Sequence, residues 1–195
     1  MKNTFIRTAA LAATLSLLTA CGADSTSTTI KVTDMSGGQT DISGVWATGC
    51  FARTTGDHIW LESFSGTNAY LLTKVTYTTT DGSCGGTATT AGTEAGTFTI
   101  STDVTATGWI DGNGASIAAP TAQNGTSTLP ATPTATTLNM TITAVTGSQT
   151  MPTTNPYDLQ RAVDASDPAN IALYDVWDDG VNGLVTDMSF KATKQ

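Results

Sequence analysis

The chain has 195 residues, with 16 acidic against 8 basic side chains and a formal net charge of −8 at pH 7. That balance excludes binding of nucleic acid or anionic lipid head groups through charge, since either needs a basic patch. The length suits one domain of ordinary size. The first twenty residues stand apart from the rest. Lys2 and Arg7 give a positive start, and Phe5, Ile6, Leu11, Ala12, Ala13, Leu15, Leu17 and Leu18 form an apolar core. This core is shorter than the roughly 20 apolar residues that a membrane-spanning helix needs. A basic start followed by a short apolar core is the pattern of a removed export signal.

The segment ends in Leu18-Thr19-Ala20-Cys21, which resembles the lipobox of bacterial lipoproteins. The resemblance implies cleavage before Cys21, diacylation of its sulfur and acylation of the new amine. A thiol serves here because its sulfur is the nucleophile that takes up the lipid. Each buried methylene contributes about 0.8 kcal/mol, and two or more chains anchor stably where one is marginal. The plainer reading is an ordinary signal peptide with a chance cysteine. Loss of residues 1–20 takes the basic count from 8 to 6 against 16 acidic, a formal charge of −10. Residues 21–39, rich in Ser, Thr and Gly, read as a flexible tether. In Gram-negative lipoproteins an Asp directly after the lipidated cysteine favours inner-membrane retention. Gly22 lacks that signal, so the expected location is the bacterial cell envelope, lipid-anchored, and in a Gram-negative source at the outer membrane.

With Cys21 assigned to lipid, Cys50 and Cys84 remain. In an exported chain two remaining cysteines point to a disulfide. The alternatives are two free thiols or a metal pair. The metal reading is weak, because His58 is the one histidine and no second cysteine pair exists.

From residue 40 to 195 the pattern is β. Thr, Gly, Val and aromatics dominate while Glu, Lys, Arg and Leu are scarce, which suits pleated strands. Strands are expected at Gly44–Ala52, His58–Ser65 and Ala69–Thr79. The clearest alternation is Gly96–Ala106, with Phe98, Ile100, Thr102 and Val104 on one face. Leu138, Met140, Ile142 and Ala144 repeat it, a further strand is expected at Ile171–Trp177, and Leu184, Thr186, Met188 and Phe190 alternate near the end. Asp-Gly and Asn-Gly pairs supply turns. Two stretches interrupt the pattern: the Thr/Pro-rich connector Asn124–Thr137, and Gly147–Asn170, whose Tyr157–Val163 (YDLQRAV) reads as one short helix. The expectation is an all-β fold, an antiparallel up-and-down β-barrel closed so as to leave few edges.

Ile42-Ser43-Gly44-Val45-Trp46 opens the first strand, and this Gly-x-Trp resembles the lipocalin-like (calycin) pattern. The resemblance implies that Gly44 and Trp46 sit at barrel closure, with an arginine of the last strand on the Trp46 ring; this sequence has no arginine there, and Lys191 or Lys194 is the substitute. The longer run GVWATGC … ESFSGTNAYLLTKVTYTTTDGSC resembles a set of small bacterial lipoproteins of uncharacterised function, over about residues 41–110.

Candidate chemistry is thin. His58 has no Gly-x-Ser-x-Gly elbow to serve and reads as an exposed polar residue starting a strand. Asp175-Val176-Trp177-Asp178-Asp179-Gly180 invites a calcium reading, but Trp177 and Thr186 stand where oxygen ligands belong. Asp178 and Asp179 are adjacent, so on a strand they face opposite ways and make no acid/base pair across a sugar. Trp46, Trp60, Phe64, Tyr70, Tyr77, Phe98 and Trp109 read as core packing, with a ligand cavity as the alternative. No catalytic residue, metal or cofactor is assigned. The expected role is a non-catalytic binding or structural domain, monomeric, with the membrane as partner through the anchor. The alternatives are a carrier of a small apolar ligand and a surface adhesin.

Overall fold

The computed structural model describes residues 28–195; Cys21, the expected export signal and the start of the expected tether lie outside the described residues. The strands are β1 (Lys31–Thr33), β2 (Gln39–Asp41), β3 (Gly44–Thr48), β4 (His58–Ser65), β5 (Ala69–Tyr77) and β6 (Ala88–Thr105). They continue with β7 (Trp109–Ile110), β8 (Ser116–Ile117), β9 (Thr134–Gly147), β10 (Tyr157–Asp164), β11 (Ala172–Asp178) and β12 (Leu184–Lys194). Eight of them, in the order β3-β4-β5-β6-β9-β10-β11-β12, pair antiparallel, and β12 returns to β3. The result is a closed up-and-down barrel. Closure pairs every long strand on both sides and removes the exposed edges an open sheet would present.

Residues directly opposed across an antiparallel pair share a face. The register Lys194–Trp46–Glu62–Leu72–Glu94 therefore traces one row on the inner wall. The inner core joins residues from opposite sides of the barrel: Trp46, Phe64, Tyr70, Phe98, Leu138, Met140, Val163 and Leu173 are all buried in one cluster. The interior is filled by side chains, as an eight-stranded barrel is just wide enough to be. Close approach at one point needs glycine. A Cβ on Gly96 would stand 2.1 Å from the Thr141 carbonyl oxygen of the neighbouring strand.

Two smaller clusters lie on the outer wall. In one, the excursion between β6 and β9 folds back and packs Trp109 and Leu129 on Ala135, Ala162 and Tyr174. There the Trp109 and Tyr174 rings meet edge to face at 5.2 Å, and β7 extends the sheet by pairing parallel to β12. In the other, Ile59, Leu61, Val75 and Tyr77 pack under Cys50 and Cys84. The two cysteines form a disulfide linking the β3–β4 and β5–β6 connections.

Several expectations change. Tyr157–Val163 is strand β10 rather than a helix, and no helix occurs among the described residues. Its inward residues are Tyr157, Leu159, Arg161 and Val163, so pairing with β9 and β11 overrides the helix propensity of Leu, Gln, Arg and Ala. The Thr/Pro-rich connector ends earlier than expected, since Thr134–Thr137 already belong to β9. Ordered structure also begins inside the segment 21–39 expected as a tether. β1 and β2 form a hairpin whose Ile30 and Val32, with Ile42, join the inner core. Apolar residues at positions 30 and 32 bury enough surface to order a Ser/Thr-rich segment that would not fold alone.

The disulfide closes a sequence separation of 34 residues. In the chain-entropy model a loop of that size contributes about 3–4 kcal/mol. A Cys50→Ser/Cys84→Ser double variant is expected to lose about that much in urea unfolding, with the barrel's far-ultraviolet circular dichroism retained.

Candidate functional site

The inner wall carries charge as well as aromatics. Glu62 on β4 and Arg161 on β10 face each other across the lumen, since these strands stand opposite in the eight-strand ring. Arg161 Nη2 donates to Glu62 Oε1 at 2.5 Å and its Nε donates to Oε2 at 3.3 Å, a two-pronged contact. Its Nη1 donates to Asp175 on β11 and to the Gln160 carbonyl. Tyr70 donates its hydroxyl to Glu62 Oε1 at 3.4 Å. Both ion-pair side chains are almost wholly buried.

Around this centre a second contact runs parallel. The Tyr157 hydroxyl donates to Glu94 Oε1 at 2.8 Å, linking β10 to β6 past the intervening β9. The Phe190 ring covers the guanidinium at 5.1 Å. Phe190 reaches it because β12 skips three residues there: Tyr174 pairs with Lys191 while Asp175 pairs with Asp187. Such a bulge re-aims a side chain that a regular ladder would hold elsewhere.

The electrostatics follow from burial. Burial alone would lower the Arg161 pKa, but the Glu62 and Asp175 carboxylates outweigh it and hold the cation far above its ordinary range. Burial pushes the Asp175 carboxyl up, Arg161 pulls it back and the negative charge of Glu62 adds to the rise. Burial, then Glu62, raises the Tyr70 phenol well above normal, so it remains a donor. The set is a fully engaged hydrogen-bond network in a low-dielectric interior, where truncating one member strands the others.

The sequence-derived residues fall in different places. Trp46 is fully buried in the inner core, and its Nε1 donates to the Ile42 carbonyl at 2.8 Å. Lys194, next to Trp46 in register, holds its Nζ 5.7 Å above that ring. Gly44 has φ 117, and a Cβ there would stand 3.0 Å from Lys194 Cε, so glycine leaves room for the lysine stem. Cys50 and Cys84 are bonded to each other. His58 is buried, contrary to its expected exposure: it stacks on Phe51 at 5.4 Å and meets Trp60 edge-on at 5.8 Å. Apolar neighbours on both sides account for that placement. The acidic run divides. Asp175 enters the lumen network, whereas Asp179 accepts from the Val181 and Asn182 amides and from the Asn182 side chain, the bonding of an Asx turn. Glu62, Glu94, Tyr157 and Arg161 were not singled out from the sequence. A glutamate within the apolar strand HIWLESFS was the one available signal.

No family model, no curated protein and no solved structure matches this chain.

Arg161→Met leaves Glu62 buried and unpaired, and should lower unfolding stability by about 3–5 kcal/mol, while adding Glu62→Met should restore most of the loss. The measurement is a urea unfolding series on both variants. Burial, then Lys74 and Arg53, lowers the His58 pKa below its ordinary 6.5, against the opposing pull of Asp57. The stability tied to neutral His58 is therefore complete above pH 6.5 and is lost as pH falls through the lowered folded value. Between pH 7 and 5.5, His58→Gln should unfold with a flatter pH dependence than the parent chain.

Proposed function

We propose that this protein is a lipid-tethered component of the bacterial cell envelope whose lipocalin-like barrel acts as a non-catalytic binding or structural domain. Cys21 carries the anchor, and a short leash of Ser, Thr and Gly connects it to the barrel. The first described residue, Thr28, follows Cys21 by seven positions. A fully extended leash of that length reaches about 25 Å. The barrel end that carries the β1–β2 hairpin thus stands close to the bilayer.

The observation that carries this reading is the occupied interior. Trp46, Phe64, Phe98 and Met140 fill one part of the lumen, and the Glu62–Arg161 pair spans another. A carrier of an apolar molecule would have to displace these side chains and strand two buried charges, which argues for recognition on the outer surface. The Thr-rich stretch behind the adhesin alternative is partly built into the fold: Leu129 packs on the outer wall and Thr134–Thr137 pair in β9.

The test is direct. Expressed in a bacterium with lipoprotein processing, the chain should incorporate labelled palmitate and sediment with membranes. Cys21→Ser should abolish labelling and release the protein to the soluble fraction. Unchanged labelling and sedimentation of Cys21→Ser would refute the proposal.

A further inference from the structure

At the barrel end opposite the hairpin, the β3–β4 and β5–β6 connections enclose a fully buried carboxylate. Asp57 Oδ2 accepts from the Thr79 hydroxyl at 2.9 Å and from the Cys84 amide at 3.1 Å. Its Oδ1 has no hydrogen-bond partner although the residue is 0% exposed. Buried polar atoms are satisfied in the great majority of cases, so this empty acceptor calls for an explanation. A carboxylate oxygen of Asp57 and the sulfurs of Cys50 and Cys84 all lie within 4.8 Å of one another.

While the disulfide is closed, the sulfurs are neutral and offer little to a cation. We propose that reduction of Cys50–Cys84 turns this cluster into a site for a divalent cation of the zinc class, held by two thiolates and Asp57 with water in the fourth position. In the reductive step a dithiol delivers two electrons and two protons to the Cys50–Cys84 bond, and the dithiol closes to its own disulfide. Cation binding then displaces both thiol protons to solvent. Zinc takes sulfur at about 2.3 Å and carboxylate oxygen at about 2.0–2.2 Å in tetrahedral geometry, which sets ligand atoms roughly 3.5 Å apart. The bonded sulfurs stand 2.08 Å apart, so reduction must let them separate to that spacing, on two connections that can adjust, while a carboxylate oxygen of Asp57 stays within 4.8 Å of both. Two thiolates beside a buried carboxylate would repel one another, and a doubly charged cation offsets that repulsion. Thiolate donors select zinc-class ions over magnesium or calcium, which take oxygen ligands. Access exists, because Cys50 is only partly buried.

The full chain, reduced with a dithiol and desalted under anaerobic conditions, is titrated with cobalt(II) and then with zinc(II). One cobalt per chain should give a thiolate-to-cobalt charge-transfer band that one equivalent of zinc removes. The oxidised chain should show no such band, and Asp57→Asn should weaken cobalt binding at least tenfold. Zinc should also raise the thermal midpoint of the reduced parent chain, with magnesium having no effect, a readout that does not depend on how any variant folds. Absence of the band in the reduced parent chain, unchanged affinity in a folded Asp57→Asn, or no zinc-dependent rise in the midpoint would overturn the proposal.

Discussion

The ion pair between Glu62 and Arg161 ties together two strands that never touch through their backbones. β4 and β10 stand on opposite sides of the ring, 99 residues apart in sequence, and the pair bridges the space between them. A barrel stabilised by ladders alone can flatten or breathe. A charged bridge across the lumen fixes the separation of the two walls, because stretching it would expose two charges to a low-dielectric interior. Asp175, Tyr70 and the Phe190 ring complete the surroundings of the same two side chains. Replacing such a network with apolar residues of equal volume is often neutral in stability. Its physical contribution is therefore a single arrangement of the walls rather than net energy.

Both ends of the barrel build on that centre. At one end the β1–β2 hairpin inserts Ile30 and Val32 beside Trp46, and Lys194 covers the indole. At the other, Phe51, His58 and Phe190 pack ring against ring next to the guanidinium. The disulfide then fixes the two connections that pass over the outer cluster of Ile59, Leu61, Val75 and Tyr77. The interior is thus occupied along its length by contacts from the described residues.

How far the sequence discloses this depends on the residue type at each inward position. His58–Ser65 is legible to the residue, because it is a run of aromatics and aliphatics between turn signals. The cysteine pairing is legible from parity, two cysteines remaining once Cys21 is set aside. The first half of β6, ATTAGTEA, is not, since Thr, Ala and Gly show no apolar alternation and Gly92 and Gly96 serve close strand approach. β10 is hidden by the very residue that matters most. Arg161 occupies an inward position, so the alternation of Tyr157, Leu159 and Val163 breaks at a charge and the segment reads as helix. Its partner Glu62 is equally silent, since no local pattern links positions 62 and 161. The cross-lumen network is a product of closure, and only the closed ring brings its members together.

The central claim is that Arg161 is locked across a filled lumen, and its guanidinium protons report that directly. Nitrogen-15 relaxation and hydrogen-exchange measurements on arginine side chains compare Arg161 with the exposed Arg53 in one sample. The account predicts an Arg161 Nε–H that is rigid on the nanosecond scale and exchanges with solvent orders of magnitude more slowly than that of Arg53. An Arg161 Nε–H that exchanges as fast as Arg53 and moves as freely would contradict it.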